Sequence, residues 1–316
     1  MFLTGMGFAG GMVKAWVNNS LTDFQDVLVH PLSHSFSRGS AVFEVMEIVH
    51  TEGGPAFFCL PEHLERFFDS ARATFMELTI TPTELEQALI LTARTNRIER
   101  GIAKIFAYYP DIGLGTLPSS DRIDVAVFCL GYEDMGISPE DLGQPVTAGI
   151  STFRKIDPHT TAVHAKVVGN YVNGFLAKKE MRALGYDEAI LLDTNGFIAE
   201  APNANIFFIR GAVIETPTTE SVLPGITRAI LMQVMSDMGF AVRESHILPD
   251  DLVHFDEAFL SGTLNQVQPI KALSGHALVC PGTVTSAVRD RMLSATAGRE
   301  PRYERHLRLI TRGFTV

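Results

Sequence analysis

His164-Ala165-Lys166-Val167-Val168-Gly169-Asn170-Tyr171 sets one lysine inside a run of small and apolar residues. Burying that side chain as a cation is costly. Burial lowers an ammonium pKa, and a neutral amine is what a Schiff base requires. The segment alone leaves two readings open. One is a reactive lysine; the other is an ordinary lysine at a helix start, its stem lying on apolar surface and its charge in solvent.

Downstream of it, the pattern predicts a helix over about residues 166–182 and a strand over 188–193. Asn195-Gly196 suits a tight hairpin turn, since both residue types accept positive φ. Strands over 197–200 and 206–209 flank a polar loop, a helix runs from about 225 to 238, and 257–260 is a short buried strand. Upstream, 146–153 reads as a strand, and the polar, glycine- and proline-bearing stretch 131–144 reads as an interdomain connection. Leu60-Pro61-Glu62 opens a helix with proline in its first turn, and Leu64, Phe67, Phe68 and Ala71 share one of its faces. Thr83-Glu84-Leu85-Glu86 reads as a capping box that starts a second helix ending near Asn96. Residues 103–109 and 123–130 are strands by their β-branched and aromatic content. Helices and strands mix without strict alternation, which predicts an α+β chain. The expected division is a small α+β domain over 1–131, an interdomain loop over 132–144, and a larger domain over 145–316.

Composition narrows the function. The 316 residues suffice for two domains, and 46% apolar with 20% charged residues is a globular balance. No apolar run approaches the roughly 20 residues that span a bilayer. Residues 1–11 carry no basic residue ahead of their apolar letters and do not read as a secretory signal. Cys59, Cys129 and Cys280 form no Cys-x-x-Cys, so neither a disulfide framework nor a thiolate zinc site is expected, and a cytoplasmic location is. The net charge of −10 argues against a nucleic-acid-binding surface and leaves a small anionic substrate compatible. Arg299, Arg302, Arg305, Arg308 and Arg312 cluster in a basic tail, read as solvated or as a helix face on the body.

Gly5-Met6-Gly7-Phe8-Ala9-Gly10 fits the dinucleotide pattern in letters only, because that motif works between a strand and a helix. His30 with His34, and His159 with His164, have ligand-like spacings but no evident third ligand, so no metal is expected. No Ser-His-Asp set and no NTPase phosphate loop occurs.

The ordered landmarks are more specific than any one of them. Lys166-Val167-Val168-Gly169-Asn170-Tyr171 resembles the Lys-x-Gly-Gly-Asn-Tyr sequence of the branched-chain aminotransferases, class IV aminotransferases that bind pyridoxal 5′-phosphate (PLP) in fold type IV. The resemblance runs from about Trp16 to about Met292. It includes Ser33-His34 through Gly39-Ser40-Ala41-Val42-Phe43-Glu44, Glu62-His63-Leu64-Glu65-Arg66-Phe67, Asn195-Gly196-Phe197-Ile198-Ala199-Glu200 with Asn205-Ile206-Phe207, Leu223-Pro224-Gly225-Ile226-Thr227-Arg228, and Ser261-Gly262-Thr263.

This resemblance implies a small α/β sandwich domain, a larger barrel-like PLP-binding domain, and a homodimer or higher oligomer. It implies that Lys166 forms the Schiff base with PLP and moves the proton. Glu200 would face the pyridine nitrogen and keep it protonated. Arg66 would clamp the phosphate, a guanidinium meeting it as a bidentate fork, and the backbone at Gly225, Ile226 and Thr227 would bind it at a helix start. Thr263 would add a donor to the phosphate or the substrate carboxylate, and Tyr171 would lie near the phenolic oxygen. Phe43, Lys104, Arg38, Thr263 and Leu264 are the candidate substrate contacts.

The substrate side departs from the family. Val45 stands where branched-chain enzymes have glycine, as D-amino-acid aminotransferases tend to have valine. Arg38 replaces an aromatic, and Lys104 replaces an arginine. The arginine–histidine pair of the D-specific enzymes is absent around 114–116. Phe43, Val45, Tyr108 and Tyr109 read equally as an apolar side-chain pocket and as core. The expected reaction moves an amino group from an apolar, branched-chain L-amino acid to a 2-oxo acid such as 2-oxoglutarate. The alternatives are D-amino-acid or (R)-amine transamination, a lyase of the aminodeoxychorismate type, and a PLP-binding protein without turnover.

Overall fold

The computed structural model describes residues 13–310. The glycine pattern at 5–10 and Arg312 lie outside the described residues. By compactness the chain forms two units. The first holds the residues up to Pro139, Ala165–Gly169 and those from Ser294 onward; the second holds Glu140–His164 and Asn170–Leu293. The first change of unit falls between Pro139 and Glu140. The return of Ala165–Gly169 and of the C-terminal residues to the first unit has no local mark in the sequence.

In the first unit, β1 (Lys14–Val17), β2 (Ser20–Asp23), the short helix α1 (His34–Arg38), β3 (Val42–Thr51), β4 (Gly54–Phe58), α2 (Leu60–Ala73), α3 (Pro82–Thr95), β5 (Gly101–Tyr108) and β6 (Asp124–Gly131) follow in order. The strands make one antiparallel sheet, β4-β3-β5-β6-β1-β2, to which the terminal strand Leu307–Leu309 adds beside β4. Strand alternation sends Val42, Met46, Ile48, Ile105 and Val127 to one face, where Leu64, Phe67, Leu85 and Leu89 of α2 and α3 complete the core. Register pairs Phe43 with Phe106 and Val45 with Lys104, so these four share the other face. The basic tail is therefore neither loose nor helical at 307–309, and Arg308 Nε donates to Glu86 at 2.6 Å.

The second unit contains β7 (Val146–Arg154), α4 (Tyr171–Ala183), β8 (Glu188–Leu192), β9 (Ile198–Glu200), β10 (Asn205–Arg210), β11 (Val213–Pro217), α5 (Ile226–Asp237), β12 (Ala241–Ser245), β13 (Glu257–Ser261), β14 (Gln268–Leu273), β15 (His276–Ala277) and α6 (Thr283–Thr296), the last residues of α6 grouping with the first unit. Its mixed sheet runs β12-β11-β10-β13-β14-β7-β8-β9, with β15 on β14. The sheet curls into a half-barrel, bringing β9 back toward β10 and β11. Ile190, Ile206, Phe208, Leu260 and Ile270 fill its interior, while Ala177 and Met181 of α4 pack on Ala189 and Leu191. Among the described residues no helix is long and apolar enough to cross a membrane.

Three local expectations shift. The capping box is Thr81 with Glu84, not Thr83 with Glu86, because Pro82 takes the first helical position and the cap moves ahead of it. The Asn195-Gly196 turn uses positive φ at Gly196 alone (+93°), and Asp193 holds it by accepting from the N–H groups of Asn195 and Phe197, each at 2.9 Å. Lys166 is not helical. Val167 bridges to Val42 at the start of β3, a single 3-10 turn covers Val168–Asn170, and α4 begins only at Tyr171.

Candidate active site

In the first unit, Lys166 is fixed by its backbone. Its N–H donates to Ser70 Oγ at 2.9 Å, and its carbonyl accepts from the Phe43 N–H at 3.0 Å. The next residues continue the pairing: Val168 N–H donates to the Ala41 carbonyl at 2.8 Å and Gly169 N–H to the Gly39 carbonyl at 2.9 Å. This closeness needs glycine at position 39. Gly39 has φ of +68°, and a Cβ there would lie 2.8 Å from the Gly169 Cα. The Lys166 Nζ then sits 5.2 Å from the centroid of the Phe43 ring.

Beneath it lies a buried ionic set. Arg66 Nε and Nη2 donate to the two oxygens of Glu44 at 2.8 and 2.7 Å, and His63 Nδ1 donates to Glu44 Oε1 at 3.1 Å. Burial works against the charge on Glu44, but the Arg66 guanidinium outweighs it, with Lys166 and His63 adding to it, and the carboxyl is held far below the usual carboxylate range. Burial pushes the His63 pKa down, so its ring is a neutral donor. Breaking a buried pair of this kind costs about 3–5 kcal/mol, a large part of a domain's total stability. Arg66 is thus oriented by Glu44, a partner that the sequence reading quoted without giving it a role.

Lys104 lies on the opposite sheet face. Its Nζ is 5.2 Å from the Phe43 centroid and 4.8 Å from that of Phe106, and burial lowers its pKa. No carboxylate pairs with it among the described residues. Phe106 and Tyr108 also line an apolar cavity of about 270 Å³ with Phe36, Ala41, Phe128 and Val168. Arg38 is exposed and donates to the Leu114 carbonyl at 3.3 Å.

In the second unit, Glu200 is buried at the end of β9. Lys155 forms an ion pair with its Oε1, Asn205 Nδ2 donates to its Oε2 at 3.1 Å, and the Leu223 N–H approaches Oε1 at 3.5 Å. Asn205 Nδ2 also donates to the Leu223 carbonyl at 3.2 Å, so one amide ties Glu200 to the entry of α5. A Cβ at Gly225 would lie 2.0 Å from Asn205 Oδ1, so a side chain there would displace the Asn205 amide. No side chain caps α5, and its first N–H groups, at Ile226 and the buried Thr227, are the kind that bind anions. Tyr171 opens α4, while Thr263 and Leu264 lie half-buried in the turn after β13. Ser261, opposite Asn205 in register, has a buried hydroxyl oxygen with no hydrogen-bond partner among the described residues.

The histidines considered for a metal are engaged otherwise. His34 bonds to Ser40 Oγ and the Thr116 carbonyl, each at 2.9 Å, and His164 to the Thr219 carbonyl at 2.8 Å. Cys59, Glu62 and His306 do converge, but Glu62 and Arg305 occupy both ring nitrogens of His306. The sequence reading missed Lys155, Ser70 and the part played by Asn205. Asn205 carried a signal in the Asn-Ile-Phe that follows the hairpin; Lys155 and Ser70 carried none.

Residues 41–273 match the family described as amino-transferase class IV. The chain is 32% identical over 264 residues to a branched-chain-amino-acid aminotransferase of Escherichia coli strain K12, covering 82% of this chain and 84% of that protein. It superposes on the branched-chain aminotransferase of the archaeon Thermoproteus uzoniensis, solved with norvaline, with a TM-score of 0.90 and 29% identity, covering 95% of this chain and 100% of the other. The T.th. branched-chain amino acid aminotransferase complexed with N-(5′-phosphopyridoxyl)-L-glutamate gives a TM-score of 0.88 and 32% identity over 94% and 98% of the two chains. The α+β architecture is that of fold type IV, and the chain belongs to the class IV aminotransferase family.

Proposed function

We propose that this aminotransferase uses PLP to move the amino group of a branched-chain L-amino acid to a 2-oxo acid such as 2-oxoglutarate. The observation that carries the reading is Lys166, an amine-bearing side chain whose backbone is pinned on both sides and whose Nζ stands over an aromatic ring. The residues present fit the cofactor. The uncapped start of α5 at Gly225, Ile226 and Thr227 suits a phosphate, as does Arg66, whose plane Glu44 fixes. Glu200 is a buried carboxylate suited to a pyridine nitrogen, and the orphaned Ser261 hydroxyl beside Thr263 offers a further polar group.

PLP, when bound, supplies a carbonyl for the lysine amine and an electron-withdrawing ring. Lys166 Nζ is the atom that takes and returns the proton during transamination, and its fixed backbone limits where that atom can reach. Tyr171 would hold the phenolic oxygen, and Thr263 would donate to phosphate or substrate carboxylate. Phe43 and Leu264 would border the substrate's apolar part. Contacts with ring faces return about 0.5–2 kcal/mol to the Lys104 cation, less than its burial costs, so a substrate carboxylate there would compensate it. Arg38, exposed on α1, would meet an incoming acid before Lys104 does.

We further propose a homodimer. Leu28, Phe36, Ile112, Leu114 and Leu117 are exposed by 55–83% on two neighbouring segments tied together by the Gly113 N–H to the Leu32 carbonyl (3.2 Å). Such a patch suits a second copy of the chain. The unpaired thiols of Cys59, Cys129 and Cys280 suit a reducing cytoplasm.

Three measurements check this reading. Purified protein loaded with PLP, given L-leucine without a 2-oxo acid, loses its visible absorption band; bleaching with D-alanine alone establishes the D-specific alternative, and no bleaching with any amine contradicts transamination. Lys104→Met raises the KM for 2-oxoglutarate about tenfold or more while kcat with L-leucine changes less; an unchanged KM removes Lys104 from acid recognition. Light scattering on a sizing column gives twice the chain mass, and Leu114→Glu with Leu117→Glu shifts it toward the single chain; a monomeric wild type contradicts the dimer.

A further inference from the structure

Glu200 is served by three donors from three parts of the second unit: the ammonium of Lys155, the amide of Asn205 and the N–H of Leu223. Only the first carries charge. Its side chain is 19% exposed and that of Glu200 7%. A carboxylate this far from water stays ionised only where a cation compensates it; an amide orients it without neutralising it. The base of the lysine is anchored too. Its N–H donates to the Leu192 carbonyl of β8 at 2.7 Å, just past the register shift in β7 between Ile150 and Arg154. Strand β8 in turn pairs with β9, Leu191 opposite Glu200. The lysine and the carboxylate are therefore set against each other across β8, the strand between β7 and β9.

We propose that Lys155 is a positioning residue for the reaction: it keeps Glu200 as an aimed carboxylate, so that a pyridine nitrogen meeting Glu200 finds an acceptor rather than a carboxylic acid. The proposal rests on the assignment of Glu200 to that nitrogen. With Lys155 replaced by a neutral side chain, Glu200 has Asn205 and Leu223 left. A buried charge left without an opposite one is costly, and a ring nitrogen that faces no aimed anion gives up its proton. Charge is the requirement, so arginine at this position restores the effect and methionine does not.

The test uses protein loaded with PLP labelled with ¹⁵N in its ring, read by NMR alongside the thermal midpoint of each variant. Wild type and Lys155→Arg show the ring nitrogen at the pyridinium position, and Lys155→Met moves it toward the neutral-pyridine position. A pyridinium signal in Lys155→Met equal to that of wild type overturns the proposal. Lys155→Gln provides the same reading should the methionine variant fail to fold. Glu200→Gln separates the two levels: a pyridinium signal that survives it overturns the role of Glu200 itself, whereas its loss there with no change in Lys155→Met overturns only the role of Lys155.

Discussion

Everything proposed for the chemistry depends on a short backbone ladder in the first unit. Lys166 to Gly169 runs beside Gly39 to Phe43, with three hydrogen bonds of 2.8–3.0 Å between them and a fourth from the Lys166 N–H to Ser70. A lysine side chain is long and rotamer-rich, and an amine of uncertain position is a poor catalyst, because misplacement by about 1 Å can cost about a hundredfold. The ladder removes that freedom at the root. Its own requirement is steric: Gly39, at positive φ, lies too close to the Gly169 backbone to carry a side chain.

The two buried carboxylates illustrate one electrostatic rule used twice. Glu44 takes a guanidinium in bidentate contact and a histidine, and it orients Arg66. Glu200 takes an ammonium and an amide, and through Asn205 it is tied to the start of α5. In each case a charge that is expensive to bury is matched by an opposite one, and the match fixes the direction in which the group can act. Lys104 is the exception. It is a half-buried lysine with aromatic rings as its neighbours.

Much of this was legible in the sequence. The apolar face of α2 follows from periodicity, because burial there repeats at the period of the helix, and the strands β5 and β6 follow from their β-branched and aromatic content. The resemblance to class IV aminotransferases singled out Arg66, Lys166 and Glu200, and the family it named is the one the chain belongs to. Illegible were the features set by distant partners. Lys166 and Val167 read as the first turn of a helix, yet their bonds to the start of β3 and to Ser70 keep them out of it. The cap at Thr81 was hidden because Thr83 and Glu86 spell the same motif two residues later. Lys155 looked like any charge at a strand end, since nothing local shows that Glu200 lies on the next strand but one. The terminal arginines read as a tail, whereas the unpaired edge of β4 recruits Leu307–Leu309 as a strand.

The most direct test of the central claim is borohydride reduction of PLP-loaded protein followed by peptide mapping. A single pyridoxyl adduct on Lys166, lost in Lys166→Ala with the fold retained, is the predicted result. An adduct on another lysine, or none on Lys166 in protein that holds PLP, would contradict the account.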